Sequence, residues 1–410
     1  MLIDFQKREL MQNSIYYFTL LFAFISPLSR AGIVFTSVTL ILLWIFEKGW
    51  VEKWNQLKSC KVFQAFGIFI IYNFISLIWT DEVLDSFKYI LKYWYLITAF
   101  VIFTSFPKEK SGEIIKFFIL GMLVSEILSY GILFEFWTMK HGTVSDPTPF
   151  MNHLDYSIFL AFTSILLLIK VLYSDDIRNK IMYSIFFLTV SGNLFVTAGR
   201  SGQLAFFVTL PIILFIFFNK KVLKSLFIIF VTIGIMLIFP MLLSDTFKNR
   251  VLNVKTDFDK LFIEKSYNSS LGNRIGAWEV ASDIAKDNPI LGVGNQDNII
   301  ELQRITTEKP HLQPLNWYPH FHNQYLQIST ALGILGILIF IYIFVQIGKL
   351  KQNQENIYLI KTAFISIFLV GFIAEPFLHK QFTMALFSII LGYILINKNS
   401  DNIRKNNLEM

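Results

Sequence analysis

Runs of apolar residues separated by short polar connections extend along most of this chain, and one long polar stretch interrupts the pattern. Most runs approach the roughly 20 residues that a helix needs to cross about 30 Å of hydrocarbon. Nine runs precede the polar stretch from Ser244 to His322, and three follow it. The pattern therefore predicts twelve transmembrane helices, at about 14–29, 32–46, 62–79, 89–105, 114–134, 154–173, 181–198, 202–218, 222–243, 323–347, 358–375 and 381–396.

The composition also indicates a membrane protein. Of the 410 residues, 54% are hydrophobic, 44 are phenylalanine and only 16% are charged, whereas soluble domains are about 25% charged. The first apolar run has no small-residue cleavage site and other runs follow it closely, so we expect a retained helix rather than a signal peptide. The predicted fold class is an all-α polytopic membrane protein.

The positions of Lys and Arg predict its orientation. If the N-terminus is cytoplasmic, the inner segments carry 21 of these residues and the short outer loops carry six, while nine lie in the long polar stretch. Cytoplasmic loops are enriched in Lys and Arg, and long loops cross the membrane largely regardless of charge. We therefore expect helices 1–9 in 1–243, a large outer loop with short helices in 244–322, helices 10–12 in 323–397 and a cytoplasmic tail in 398–410.

Several functional classes lack support. The net charge of +7 follows from this topology and does not indicate nucleic-acid binding. The cytoplasmic segments contain no phosphate-binding loop or nucleotide fingerprint. The single cysteine, Cys60, lies in a predicted cytoplasmic loop, so no disulfide links the outer loop. A metal site formed by His311, His320 and His322 matches no standard ligand spacing. We expect neither a cofactor nor a metal.

The outer loop has some predictable structure of its own. Ser270 to Asp287 reads as a helix that Ser269 or Ser270 caps and that Asn288-Pro289 ends. A flexible turn is expected at Leu291–Asn295 because it contains two glycines. Three prolines in and after the stretch from Glu301 to Tyr318 predict irregular structure there.

Arg200 is the first candidate for chemistry. It stands in Thr197-Ala198-Gly199-Arg200-Ser201-Gly202, an outward turn between two apolar helices. The glycines allow close backbone approach and leave N–H groups able to meet an anion. A guanidinium fork suits a phosphate or diphosphate. The alternative is an interface anchor that reaches to the lipid headgroups.

Arg274 is the second candidate. It lies in the first turn of the predicted loop helix, in Leu271-Gly272-Asn273-Arg274-Ile275-Gly276. A cation there opposes the helix dipole, which favours anions at that end. An anionic ligand shared by the arginine and the helix N-terminus would account for the placement. The alternative is a solvated loop arginine.

His320 and His322 form the third candidate, at the entrance to the predicted tenth helix. Residues two apart in extended chain point in opposite directions, so one of them is expected to enter a site. His322 directly precedes the helix with Asn323 and has the more fixed position. A neutral histidine can accept a proton from an attacking hydroxyl. The alternatives are a metal ligand and a structural histidine that caps the helix.

Weaker signals accompany these residues. Polar groups open the predicted sixth helix on its outer side, and two more flank the last outer turn. Ionisable groups at membrane depth usually face the interior, but an interfacial, solvated position is the expected one for each. These residues are Asn152, His153, Asp155, Tyr156, Glu375 and His379.

The motifs together resemble the O-antigen ligase family, which also includes O-antigen and related polysaccharide polymerases. The resemblance rests on the Thr-Ala-Gly-Arg-Ser-Gly turn, on Leu271–Arg274 followed by Asn288–Gly294, and on the closing His-Asn-Gln-Tyr-Leu…Leu-Gly-Ile-Leu-Gly segment. Phe150–Leu154 resembles a looser family element. The similarity covers roughly residues 150–345 at the level of motifs.

The resemblance implies a GT-C-like glycosyltransferase of the bacterial inner membrane with a periplasmic active site. It would take a glycan from undecaprenyl diphosphate and transfer it to lipid A–core or another glycan acceptor. The reaction would need no metal and would invert the anomeric configuration. Membrane lipids would surround the enzyme. By position, Arg200 and Arg274 would hold the diphosphate and His322 would activate the acceptor. We expect Asn152, Ser201, His320 and Asn323 to contribute to substrate binding. Two histidines where one is needed leave the identity of the base open.

Three other functions remain open. A polymerase that joins lipid-linked repeats needs the same donor site and differs in its acceptor. A secondary transporter or exporter would place its key charges near the middle of the bilayer, and such folds often contain repeats that we do not find here. A polysaccharide-assembly scaffold would tolerate alanine at Arg200, Arg274 and His322.

Overall fold

The chain is a bundle of α-helices in the computed structural model, which describes residues 2–219 and 267–399 and a few isolated positions between 221 and 263. Short connections and 3-10 turns join the helices. The helices are α1 (Leu2–Ile25), α2 (Arg30–Phe46), α3 (Trp50–Ser59), α4 (Lys61–Ile75), α5 (Val83–Leu91), α6 (Ile97–Ser105), α7 (Ser111–Leu133), α8 (His153–Leu172), α9 (Ile177–Val196), α10 (Arg200–Phe217), α11 (Ser270–Asp287), α12 (Asp297–Glu308), α13 (Gln324–Lys349), α14 (Glu355–Gly371) and α15 (Gln381–Ile396).

The helices establish an all-α membrane protein. Within the described ranges, five are long and apolar enough to cross a membrane, and α2 with α3, bent by 115°, would make a sixth if the pair is one span. The predicted total of twelve spans therefore stays a prediction. The predicted ninth span (222–243), the first part of the outer loop (244–266) and the tail beyond 399 lie almost entirely outside the described residues.

The predicted span 89–105 is not one continuous helix. α5 ends at Leu91, a 3-10 turn covers Lys92–Leu96, and α6 begins at Ile97. Tertiary contacts fix this turn, because the Tyr93 hydroxyl lies 2.8 Å from Nε2 of His379. The turn contains Tyr93, Trp94 and Tyr95, and aromatic residues have a weaker intrinsic preference for helix than leucine or alanine.

α8 and α15 form the centre of the bundle. The buried side chains of α8 include Tyr156, Phe159 and Phe162, and α8 packs against α9, α10 and α14. A helix that is apolar on every side is typical of such a central position. α15 is buried along almost its whole length and packs against α6. Side chains at the start of α8 and just before α15 meet, since Lys380 Nζ lies 3.7 Å from Oδ1 of Asp155.

α11 and α12 lie in the predicted outer loop and share a small core of their own. α11 begins and ends where the sequence predicts, with Ser269 Oγ accepting from the N–H of Gly272 at 3.0 Å. The prediction of irregular structure from Glu301 was wrong, because α12 continues to Glu308 and the prolines follow it. Ile299, Leu302 and Ile305 are spaced at three residues and form the buried face of α12.

The predicted flexible turn at Leu291–Asn295 forms backbone hydrogen bonds with α13 at the point where that helix is kinked. Gly333 has a φ of +63° and interrupts the helix, which leaves carbonyl groups without helical partners. The N–H groups of Val293 and Gly294 donate to two such carbonyls, the second being Ala331 at 2.9 Å. The broken helix is therefore completed by loop backbone, which keeps its polar groups paired.

Candidate functional site

The chain enters α13 through an asparagine cap. Asn323 Oδ1 accepts from the N–H groups of Tyr325 at 2.9 Å and Leu326 at 3.1 Å, as N-cap residues do. The alternative of a histidine cap was therefore wrong. His322 has a left-handed backbone with a φ of +48°, which costs a residue other than glycine on the order of 1–3 kcal/mol. The surrounding contacts hold His322 in this conformation.

The side chain of His322 hydrogen-bonds to a buried carboxylate. Its Nδ1 pairs with Oε1 of Glu375, which lies between α14 and α15 and has 0% of its side chain exposed. Lys380 Nζ lies 2.9 Å from the other oxygen, Oε2. Burial acts to raise the pKa of Glu375, but the hydrogen bond to His322 and the charge of Lys380 outweigh it and lower this pKa to about 2.

The ionised carboxylate determines which nitrogen of His322 is basic. A carboxylate only accepts hydrogen bonds, so the proton between the two groups belongs to His322 Nδ1. In the neutral imidazole the lone pair is then on Nε2. The side chain of His322 is 21% exposed, so a hydroxyl group can approach it.

His320 contacts the backbone of His322 and lies near Glu375, but it does not form the close hydrogen bond to the carboxylate that His322 forms. Its Nδ1 accepts a hydrogen bond from the backbone N–H of His322 at 3.2 Å, and its Nε2 lies 3.7 Å from Oε2 of Glu375. Burial lowers the pKa of His320 to about 4, although the charge of Glu375 opposes the shift. His320 is therefore neutral near pH 7, and it helps to fix the backbone of His322.

Lys380 links two buried carboxylates from different parts of the chain. Besides its contact with Glu375, its Nζ lies 3.7 Å from Oδ1 of Asp155 in the first turn of α8. Asp155 is 2% exposed. Buried carboxylates are stabilised by a nearby cation; Lys380 lies beside both, and the charge of Arg30 also acts on Asp155.

Arg274 reaches the same region from α11. It is the fifth residue of that helix, just beyond the first turn where the sequence placed it, and it is half-buried. Burial lowers the pKa of Arg274, the charge of Glu375 raises it and the charge of Arg200 lowers it. Arg274 therefore lies within electrostatic range of both side chains, and it stays protonated.

Arg200 is the first residue of α10, where that helix packs closely on α8. A Cβ atom at Gly202 would collide with the backbone carbonyl of Ser157, so this crossing requires glycine. A hydrogen bond fixes the turn before Arg200, because Oδ1 of Asp146 accepts from the N–H of Ala198 at 3.0 Å. Glycine and a short connection thus bring Arg200 to the end of the bundle where α8 begins.

Two further predicted binding residues lie at this end. Ser201 is buried, and its hydroxyl lies 3.4 Å from that of Ser157. Asn152 caps α8, with Oδ1 accepting from the N–H of Asp155 at 2.9 Å and Nδ2 donating to Oδ2 of Asp155 at 3.2 Å. Roles for Ser201, Asn152 and the cap residue Asn323 in substrate binding stay predictions.

His320, His322 and Glu375 also have the composition of a metal site. One ligand atom from each lies within 4.8 Å of the others, and two histidines with a glutamate are a known set of zinc ligands. The ammonium group of Lys380 already pairs with the carboxylate, so a metal ion would have to displace it. His311, considered for a metal in the sequence, pairs with Glu279 at 3.3 Å instead.

The structure thus adds three residues to those that the motifs indicate. Asp155 and Glu375 carry weak signals in the sequence, since both are acidic groups beside an apolar helix. Lys380 carries no signal beyond its positive charge in a short outer turn. Only the folded chain shows that these groups pair with one another and with His322.

This end of the bundle therefore contains cationic groups that suit an anion and an imidazole that suits a proton acceptor. Arg274 lies within electrostatic range of Arg200 and of Glu375, and Glu375 orients the imidazole of His322. Several helices also begin here, including α8, α10 and α13, and helix N-termini favour negative charge. A polyanionic group and a hydroxyl group are the reactants that suit such a site.

Comparison with known proteins identifies a family resemblance. Residues 185–341 match the sequence model of the O-antigen ligase family, a region that contains Arg200, Arg274 and His322 but neither Glu375 nor Lys380. A Haemophilus influenzae protein described as uncharacterized is 26% identical over 257 residues, which are 60% of this chain and 61% of that protein. The chain thus spans about three fifths of that relative's length. The expected resemblance to the O-antigen ligase family is confirmed over residues 185–341.

Proposed function

We propose that this protein is an O-antigen ligase that transfers a glycan from undecaprenyl diphosphate to a sugar hydroxyl of lipid A–core. The family domain indicates a membrane glycosyltransferase of the O-antigen ligase or polymerase type. The observations that support the proposal are that the charges of Glu375 and Arg200 both act on Arg274, and that His322 hydrogen-bonds to Glu375. No cofactor is needed, because a diphosphate donor is already activated.

The two arginines bind the donor diphosphate. Like charges within electrostatic range repel each other, and a diphosphate between them turns this repulsion into attraction. Each guanidinium can offer two parallel N–H donors to phosphate oxygens. As the bond between sugar and diphosphate breaks, negative charge develops on the leaving oxygen. Fixed positive groups stabilise that charge without having to reorganise.

His322 acts as the general base. Its Nε2 takes the proton from the acceptor hydroxyl while the hydroxyl oxygen attacks the anomeric carbon. The carbon–oxygen bond to the diphosphate breaks, and both bonding electrons leave with the undecaprenyl diphosphate. A single displacement of this kind inverts the anomeric configuration. Glu375 stabilises the imidazolium that forms, and a base of this type contributes roughly 10²–10⁴-fold to the rate.

The remaining predicted binding residues surround this reaction. We assign Asn152, Ser201, His320 and Asn323 to the binding of the sugars. They are supported by their places at the starts of α8, α10 and α13, beside the charged residues. His320 also fixes the backbone of His322 through its Nδ1.

We further propose that the protein is a GT-C-like enzyme of the bacterial inner membrane with about twelve spans and both termini in the cytoplasm. The excess of Lys and Arg on one side of the predicted topology supports this orientation. The loop 244–322, with α11 and α12, would then lie in the periplasm together with the active site. Membrane lipids, the lipid-linked donor and the glycan acceptor are the partners, and nucleic acid is not.

The test is glycan transfer by the purified protein. Reconstituted protein is given an undecaprenyl-diphosphate-linked glycan and lipid A–core, and the products are separated on a gel. His322→Ala and Arg200→Ala are expected to abolish transfer, whereas His311→Ala, a matched histidine in the same loop, is expected to retain it. Transfer by both active-site variants would exclude the enzyme function. Longer lipid-linked chains in place of modified core would identify a polymerase.

A further inference from the structure

A large cavity runs along α7 and α9, from Lys116 and Lys170 at one end of the bundle to Phe134 and Trp137 at the other. The cavity has a volume of about 1130 Å³ and lies between α7 and α9, with the end of α8 at one side. Its wall is largely apolar. Residues that form the wall include Ile119, Leu120, Leu123, Ile127, Met182 and Phe186.

One end of this cavity is basic. Lys116 on α7 and Lys170 on α8 line it, together with Asn179 on α9. These three belong to one end of the bundle, because α7, α8 and α9 follow one another in the chain and alternate in direction. α8 begins beside the active site at His153, and Lys170 lies 17 residues further on, about 26 Å along the helix. The basic end is therefore the end opposite the active site.

The two lysines lack acidic partners in residues 2–219 and 267–399. No carboxylate there lies within ion-pair distance of either ammonium group, although Lys170 is half-buried. Glu126, which also lines the cavity, lies ten residues from Lys116 on α7, about 15 Å along the helix. An ammonium group that is partly withdrawn from water is stabilised by an anion. The cavity thus combines an apolar wall with a half-buried cation at Lys170 and a second, exposed cation at Lys116.

We propose that this cavity binds one anionic phospholipid. The phosphate group lies between Lys116 and Lys170, and the acyl chains lie along the apolar wall towards Glu126. Basic pockets between transmembrane helices on the cytoplasmic side bind anionic headgroups in this way. The positions of Lys and Arg place this end of the bundle in the cytoplasm, where such lipids are available. The proposal does not depend on the transferase activity.

Native mass spectrometry of the full-length protein in detergent tests the proposal. The protein is mixed with phosphatidylglycerol or phosphatidylcholine of identical acyl chains, and the bound fraction of each is measured. The wild type is expected to retain phosphatidylglycerol preferentially. Lys116→Gln with Lys170→Gln should weaken this retention by about fivefold for each lysine. Lys349→Gln with Lys351→Gln, which removes the same charge from exposed positions, should leave it unchanged.

Two more variants distinguish loss of charge from a general disturbance of the cavity. Lys170→Arg retains the charge and should retain the lipid, even if the double variant folds poorly. Glu126→Gln alters the cavity far from the headgroup and should keep the preference for phosphatidylglycerol. Equal retention of the two lipids by the wild type would overturn the proposal. So would equal retention of phosphatidylglycerol by the two double variants.

Discussion

His322 and Glu375 are 53 residues apart in the chain, and Nδ1 of the imidazole hydrogen-bonds to the carboxylate, which is completely buried. One partner precedes α13 and the other follows α14, so two helices must fold and pack before the pair exists. The carboxylate accepts a hydrogen bond from Nδ1–H, so the lone pair of the neutral imidazole is on Nε2, which can then act as a base. In the proposed reaction, Glu375 is thus a positioning residue that acts through His322.

Replacing Glu375 with glutamine tests this relationship. The amide has nearly the same shape but no charge, and it can offer its NH₂ group to Nδ1 and favour the wrong tautomer of His322. We expect kcat to fall on the order of 10²-fold, within the range that a general base contributes. The KM for the lipid-linked donor should change little, because the variant leaves the proposed contacts of Arg200 and Arg274 with the diphosphate intact. Initial rates over a range of donor concentrations separate the two effects.

Glu279→Gln is the matched control, since Glu279 lies in the same loop region and pairs with His311. It should leave kcat unchanged. A Glu375→Gln protein with a kcat within threefold of the wild type would show that the carboxylate does not position the base.

Lys380 offers a second prediction because its ammonium group pairs with both Asp155 and Glu375. Lys380→Met removes the cation that pairs with both buried carboxylates, and breaking a buried pair in this way costs roughly 3–5 kcal/mol. We expect a large drop in the thermal unfolding temperature in detergent, together with loss of transfer. Lys380→Arg should restore much of both, since it keeps the charge.

The double variant Lys380→Met with Asp155→Asn provides the internal check. It removes one of the two unpaired carboxylates, so it should be more stable than Lys380→Met alone. If the double variant is less stable by the sum of the two single effects, Lys380 and Asp155 do not act as a pair.

The two arginines provide a third prediction, on donor binding. Arg200→Lys and Arg274→Lys keep the charge but lose the planar fork that binds phosphate oxygens in pairs. We expect each to raise the donor KM and to lower kcat by roughly tenfold or more. If both arginines contact the same diphosphate, as proposed, the double variant should lose less than the product of the single losses.

Arg304→Lys is the control for these two variants. Arg304 lies on α12, is 52% exposed and pairs with Glu301 and Glu308, so its replacement should not affect transfer. Multiplicative losses at Arg200 and Arg274 would argue against a shared diphosphate.

Much of the fold could be predicted from the chain because apolar runs and helix signals act locally. The extent of α11 follows from Ser269 at its start and Asn288-Pro289 after its end. α12 was missed because nearby prolines outweighed a regular apolar spacing that ends before the first of them. The kink at Gly333 was missed because its backbone is stabilised by Val293 and Gly294, about 40 residues earlier.

The candidate site was predictable to the extent that its residues lie in recognisable motifs. Arg200, Arg274 and His322 stand in such motifs, and the structure brings their elements to one end of the bundle. Glu375 and Lys380 follow α14, where the sequence offers only single charged residues in a short turn. Their importance comes from pairing with His322 and Asp155, and pairing between distant segments depends on packing rather than on local pattern.

His320 and His322 give the last prediction, which distinguishes the histidine that acts as the base from the one that positions it. His320 has a pKa of about 4, below its ordinary value of 6.5, so the unfolded chain takes up a proton at a higher pH than the folded one. His320 therefore costs stability as the pH falls from about 6.5 towards 4. His320→Asn keeps an acceptor for the N–H of His322 and cannot titrate.

Thermal unfolding of the two proteins between pH 7.5 and pH 5 measures this effect. The variant should lose less stability than the wild type over that interval, by about 2 kcal/mol at pH 5 for a shift of this size. Other buried histidines such as His379 titrate in both proteins, so their effect cancels in the difference. At pH 7.5 His320→Asn should retain transfer within a few fold, whereas His322→Asn should lose it. The reverse result, loss of transfer with His320→Asn alone, would make His320 the base and His322 its support.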